Sequence, residues 1–266
     1  MSSLRFTLIQ THLFWEDKAA NLQMLEQKLR QLPEDTHVVI LPEMFSSGFS
    51  MQPELLAETM EDTTITWMKN LAAELKVILT GSIMVREEGD GGAKYFNRLL
   101  WVLPNRQVGY YDKRHLFTIG EEDKHYSPGT KRLITSVNGW KINLQICYDL
   151  RFPVWARQSN PDTPEYDVLI YIANWPERRA HAWKTLLAAR AIENQCYVIG
   201  VNRVGEDGKG IYHSGDSMIV NPLGEVLYHK AHEEDTFTIE LHQNELQQIR
   251  QTLPFLRDGD HFHLLS

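Results

Sequence analysis

Lys141-Ile142-Asn143-Leu144-Gln145-Ile146-Cys147-Tyr148-Asp149-Leu150-Arg151-Phe152-Pro153 is the stretch from which the rest of the chain can be read. Ile142, Leu144 and Ile146 alternate with Asn143 and Gln145, the period of a strand with two unlike faces. Pro153 suits the first turn of a helix, where a missing N–H costs nothing. Cys147 therefore falls on a strand-to-helix corner, and a helix N-terminus beside it favours the thiolate. Two readings fit: a strand-end nucleophile, or a buried core thiol, since free cysteine is among the most buried residue types.

The 266 residues suffice for one α/β domain, and 42% hydrophobic and 10% aromatic content supports a substantial core. A formal charge of −8 without any lysine/arginine block argues against nucleic-acid binding. No apolar run reaches the roughly 18 residues of a membrane span. The N-terminus enters a strand pattern at once, without a signal-peptide layout. Cys147 and Cys196 make no disulfide framework and no zinc motif, so the expected setting is cytoplasmic, with no cofactor and no metal. Cys196, beside Tyr197-Val198-Ile199, reads as a core thiol, and His261 and His263 in the tail carry no metal expectation.

Working outward, Leu4–Gln10 is an apolar strand and Lys18–Gln31 carries Leu22, Leu25 and Leu29 at helical spacing. Val38–Leu41 is a buried strand, Ile65–Leu75 a helix, and Val77–Val85 a strand broken by Gly81. Glu87–Ala93 is a polar turn, and Tyr95–Leu103 with Gln107–Tyr111 forms a hairpin. Leu133–Val137 and Lys141–Ile146 form another around Asn138-Gly139. Strands over Val168–Ala173, Tyr197–Asn202, Ser217–Asn221, Val226–Lys230 and Thr236–Glu240 follow, with helices over His181–Glu193 and Gln243–Gln251. No internal repeat or low-complexity linker divides the chain, which reads as one domain, residues 1–266, of mixed sheet between helices. The charged tail from about 254 is free to reach a partner subunit.

Glu43 follows the apolar run Val38–Leu41, Lys113 follows Val108–Tyr111, and Cys147 follows Ile142–Ile146. Strand exits are where α/β sheets place their sites. A carboxylate can accept a thiol proton, and an ammonium can stabilise an oxyanion. Glu43 or Lys113 alone reads more readily as solvated surface, and Cys147 alone as a core thiol; the three together point to one chemistry.

At these residues the chain resembles the nitrilase superfamily of carbon–nitrogen hydrolases, over nearly its whole length. The glutamate motif reads Val39-Ile40-Leu41-Pro42-Glu43-Met44-Phe45, the lysine motif Tyr110-Tyr111-Asp112-Lys113-Arg114-His115-Leu116-Phe117, and the cysteine motif Leu144 to Pro153. Asn174-Trp175-Pro176, Trp183, Ala188–Gln195 and Gly215–Gly224 match as well. The resemblance implies an α-β-β-α four-layer sandwich and a homodimer. It implies Glu43 as general base, Lys113 as oxyanion stabiliser, Cys147 as nucleophile, and the Tyr148 N–H completing the oxyanion site. A second glutamate eight residues after the lysine falls on Glu121, expected to hold the lysine and the substrate nitrogen; a solvated acidic loop is the other reading of Glu121-Glu122-Asp123.

Tyr111–Phe117 and Ile146–Pro153 are worded like the ω-amidase branch, whose substrates are 2-oxoglutaramate and 2-oxosuccinamate, with links to metabolite repair and methionine salvage. Such a substrate is a small amide with a carboxylate end, hydrolysed by water. Arg178 is the first candidate to receive that carboxylate and Arg151 the alternative. Phe45 and Trp175 are candidate pocket walls, with an ordinary core aromatic as the other reading of each. His115 has two readings, a support of the lysine loop or, favoured, an interfacial or hydrogen-bonded histidine. Rival functions are a short aliphatic amidase, a nitrilase, an N-carbamoyl amino-acid hydrolase, a silent binding protein, or a thiol redox protein using Cys147 and Cys196.

Overall fold

A computed structural model describes residues 2–89, 91–160 and 163–264. Among the described residues the strands are β1 (Ser3–Gln10), β2 (Val38–Ile40), β3 (Ile78–Gly89), β4 (Gly92–Val102), β5 (Val108–Asp112), β6 (Leu133–Val137), β7 (Trp140–Ile146), β8 (Val168–Ala173), β9 (Tyr197–Asn202), β10 (Val204–Glu206), β11 (Tyr212–Val220), β12 (Val226–Ala231) and β13 (Asp235–His242). The helices are α1 (Lys18–Leu29), α2 (Pro53–Leu56), α3 (Thr63–Leu75), α4 (Glu122–His125), α5 (Pro153–Ala156), α6 (Ala180–Asn194) and α7 (Gln243–Thr252).

The strands form two sheets, one ordered β13-β1-β2-β3-β4-β5, the other β10-β11-β9-β8-β7-β6 with β12 beside β11. β1, β2 and β3 run parallel, as do β7, β8 and β9, so each sheet has a parallel heart with antiparallel flanks. Phe6, Leu8, Val38 and Ile40 of the first sheet meet Ile142, Leu144, Ile146, Ile170 and Ile199 of the second in one buried inter-sheet core. The opposite face of the first sheet (Ile9, Val39, Leu79, Leu100) is covered by Leu22, Leu25 and Leu29 of α1 and Ile65, Met68 and Leu71 of α3. That of the second (Leu169, Tyr171, Val198) is covered by Trp183, Leu187 and Ala191 of α6. The result is the expected α-β-β-α sandwich. Its logic is burial on both sheet faces, which parallel strands require.

Local chemistry sets the element ends. Asp17 caps α1 by accepting the Ala20 N–H at 3.0 Å. The β6–β7 hairpin turns through Asn138 and Gly139, both at positive φ, as the Asn-Gly pair predicts. Three expectations need correction. Gly81 does not break β3; a Cβ there would come within 2.7 Å of Phe45, so close packing accounts for the glycine. The polar turn expected over Glu87–Ala93 is narrower, because the β3–β4 ladder continues to Gly89 opposite Gly92. Between β7 and α5 lies a tight five-residue 3-10 turn, Cys147–Arg151, so Pro153 opens the helix only after it. β10 was not foreseen; three residues are too few for a period to show.

The tail turns back onto its own chain. Leu256 is buried with its N–H on Gln195 Oε1, and Phe262, His263 and Leu264 lie in a groove with Trp155 and Ser159. Among the described residues no helix is long and apolar enough to cross a membrane.

Candidate active site

β2, β7 and β8 end on one side of the molecule, and β5, antiparallel to β4, ends there too. Glu43, Cys147, Asn174 and Lys113 follow these four strand ends, so the topology gathers residues up to 131 positions apart.

Cys147 has φ +43°, a left-handed conformation that costs a residue with a Cβ about 1–3 kcal/mol. The Asp149 carboxylate holds the corner by accepting the Ile146 N–H at 3.0 Å. Asp149 also accepts from the Tyr111 hydroxyl at 2.7 Å and the His115 N–H at 3.0 Å, which ties the cysteine turn to the lysine loop. His115 Nδ1 lies 2.8 Å from Asp149 and its ring stacks on Phe152, so it is a hydrogen-bonded histidine, the favoured of its two readings. Burial, then the charge of Glu43, pushes the Cys147 thiol well above its ordinary pKa, against the pull of Lys113. The thiolate expected from a helix N-terminus is thus disfavoured at rest, because burial and the Glu43 charge hold the thiol protonated.

Glu43 is fully buried. Its Oε1 accepts from Lys113 Nζ and from Asn97 Nδ2, both at 2.8 Å, and its Oε2 from the Asn174 N–H at 2.8 Å. Asn174 Nδ2 also donates to the Glu43 carbonyl at 2.5 Å, fixing the carboxylate at both ends. Lys113, equally buried, donates to Glu122 Oε1 and Oε2 at 3.0 and 2.9 Å. Burial works against its charge, but Glu122 and Glu43 outweigh it and hold the ammonium above its ordinary pKa.

The lysine's second carboxylate is therefore Glu122, nine positions on, and not Glu121. Glu121 adopts φ +62°, which turns its side chain outward to Lys124 and the next one inward. Glu122 is buried, also accepts the Phe117 N–H at 2.7 Å, and has its pKa raised by burial. In a row of three acids nothing in the sequence marks which faces in. Asn97 was missed as well, although a polar residue between Phe96 and the apolar run Leu99–Val102 is a legible anomaly in a buried strand.

A cavity of about 280 Å³ opens beside Cys147, walled by Phe49, Phe117, Tyr148 and Trp175, with Arg151, Arg178 and Arg179 around it. Trp175 is a wall as expected; Phe45 is not. Phe45 lies on the helix side of the first sheet against Trp67, because its N–H follows the edge of β3 to Ser82 O and turns the ring away. Phe49 takes the wall position, its ring 5.1 Å from Lys113 Nζ. Arg178 is exposed at the rim, whereas Arg151 lies 4.8 Å over the Trp175 ring and Arg179 5.1 Å over Phe117. Among the described residues none of the three forms an ion pair. Cys196 is sealed in the α6-side core and both thiols are free. No group of three metal-ligating side chains occurs among the described residues.

A buried carboxylate–ammonium–thiol cluster on this sandwich defines a hydrolase of carbon–nitrogen bonds. The carbon–nitrogen hydrolase family model matches residues 5–251, and the chain belongs to that family. It is 41% identical over 265 residues, 99% of this chain and 100% of the relative, to the omega-amidase YafV of Escherichia coli K12. It is 30% identical over 252 residues to the 2-oxoglutaramate amidase of Bacillus subtilis, covering 94% of this chain and 95% of that one. Among solved structures, XC1258 of Xanthomonas campestris, a CN-hydrolase superfamily protein with an arsenic adduct in its active site, superposes with a TM-score of 0.95 at 42% identity, covering both chains completely.

Proposed function

We propose that the protein is an ω-amidase, hydrolysing the terminal amide of 2-oxo dicarboxylic acid monoamides such as 2-oxoglutaramate and 2-oxosuccinamate to the 2-oxo acid and ammonia. The observation that carries this reading is three guanidinium groups around a cavity that opens on Cys147, none of them in an ion pair among the described residues although Glu121 and Asp207 line the same cavity. A pocket for a neutral amide has no use for those guanidinium groups. The relatives named omega-amidase and 2-oxoglutaramate amidase support it.

In this reading Cys147 Sγ forms a bond to the amide carbon as its proton passes to Glu43. The oxyanion rests on Lys113 Nζ and the Tyr148 N–H. Glu43 gives that proton to the nitrogen, the C–N bond breaks, ammonia leaves and a thioester remains. Water then attacks the thioester, losing a proton to Glu43, and the released sulfur takes the proton back. The keeper of the lysine is Glu122. Arg151, held over the Trp175 ring, receives the substrate carboxylate, and Arg178 at the rim attracts the anion. The protein works in the cytoplasm, consistent with two free thiols, and as a homodimer. Exposed Ile192 and Leu223, on neighbouring elements, offer apolar surface for the latter.

Ammonia release tests the activity. The expected result is rapid release from 2-oxoglutaramate and slow release from glutamine, which lacks the keto group. Equal rates on the two would overturn the keto-acid reading, and light scattering at the mass of one chain would overturn the dimer.

A further inference from the structure

Asn97 is fully buried at the middle of β4, opposite Met84 of β3, and its side chain points at two acids. Its Nδ2 donates to Glu43 Oε1 at 2.8 Å and to Glu122 Oε1 at 3.2 Å. Its backbone carbonyl accepts the Lys113 N–H at 3.0 Å. Its Oδ1 is buried with no hydrogen-bond partner. The reverse amide orientation would set Oδ1 against two carboxylate oxygens, so the chemistry fixes Nδ2 on the acids. A buried acceptor without a donor weakens the fold. The site retains one, and in return both N–H groups of a single nitrogen reach the two acids.

One ammonium serves two carboxylates here, which leaves an excess negative charge in a dry site. Like charges so placed force one acid to keep a proton. A protonated Glu43 has no vacancy for the proton of Cys147. A neutral donor bridging the pair relieves that repulsion without neutralising Lys113.

We propose that Asn97 is a positioning residue of the hydrolytic reaction: by donating one N–H to each of Glu43 and Glu122 it keeps Glu43 free to accept the thiol proton. The proposal rests on the reading of Glu43 as the proton acceptor. It does not touch substrate, and it acts on the acid limb of the pH profile.

The test compares pH profiles of kcat and KM for wild type, Asn97→Ala and Asn97→Asp, each checked for folding by near-ultraviolet circular dichroism. The amide used is whichever the wild-type protein cleaves fastest, so the result is separable from the choice of substrate. In Asn97→Ala the acid limb of kcat is expected to move up by about one pH unit, the size of one lost charge-assisted hydrogen bond. kcat at neutral pH falls about tenfold or more while KM stays within about twofold. Asn97→Asp preserves the volume and answers the question if the alanine variant does not fold. Its introduced carboxyl donates only while protonated, so activity is lost as pH rises, opposite in sign to the wild-type acid limb. A folded Asn97→Ala protein with an unmoved limb overturns the proposal. So does an Asn97→Asp profile that tracks the wild type.

Discussion

The Tyr111 hydroxyl lies 2.7 Å from Asp149 Oδ2, both groups buried, and this bond joins the last strand of the first sheet to the cysteine turn of the second. The same hydroxyl accepts the Arg114 N–H at 3.1 Å and the Trp155 Nε1–H at 3.0 Å. Lys113 and Cys147 thus reach one cavity because their loops share a pair of polar groups, and not through strand pairing.

Tyr111→Phe removes that bond and leaves a buried carboxylate short of a donor. A loss of about 2 kcal/mol of stability is expected, the usual size for a hydrogen bond to a charged group. Urea denaturation measures it. kcat should fall as well, since both catalytic loops lose a shared anchor.

Glu43→Gln separates the two roles of that carboxylate. Without a base, turnover should drop about 10²–10⁴-fold. The thiol behaves oppositely. In the wild type Cys147 is pushed up by burial and by Glu43, so alkylation by iodoacetamide should climb past pH 9 without levelling near the ordinary thiol value of about 8.5. Removing the negative neighbour lowers the thiol pKa, and the levelling pH in Glu43→Gln should move down. Alkylation profiles of the two proteins check this directly.

The adjacent acids Glu121 and Glu122 should differ sharply. Glu121 forms an exposed pair with Lys124, and Glu121→Gln should leave the unfolding midpoint close to that of the wild type. Glu122→Ala strips a buried ammonium of one of its two acids, and breaking such a pair costs about 3–5 kcal/mol. Thermal unfolding and ammonia release on both variants give the comparison.

Arg151→Ala should raise KM for 2-oxoglutaramate by about 10–100-fold, the range set by one charge-assisted contact of about 1.5–3 kcal/mol. Arg178→Ala, at the exposed rim, should raise it by less than about threefold. A neutral amide of similar length is the control, and its KM should respond to neither change.

Much of the site was legible because strand ends are legible. Glu43, Lys113 and Cys147 each follow a short apolar run, and the turn pair Asn138-Gly139 forced a hairpin. Phe45 and Glu121 went the other way for a shared reason. Both sit just past a strand or turn, at Met44 (φ +45°) and Glu121 itself (φ +62°), where the backbone departs from any period and a one-residue rotation swaps inside for outside. Asn143 and Gln145 show the same limit: their alternation marks a strand but not its surroundings, and both are fully buried because the second sheet is covered on that side too.

Periodicity and residue type by themselves determined the longer strands and helices and three reactive groups at strand exits, since those depend on chemistry within a few residues; the short elements α2, α4 and β10 carry too few residues for a period. Which acid faces Lys113, which aromatic walls the cavity, which arginine lies over Trp175, and whether Cys147 rests as thiol or thiolate were decided only by the assembled sandwich. Those outcomes depend on distance and dielectric between segments far apart in the chain, and no local pattern carries either quantity.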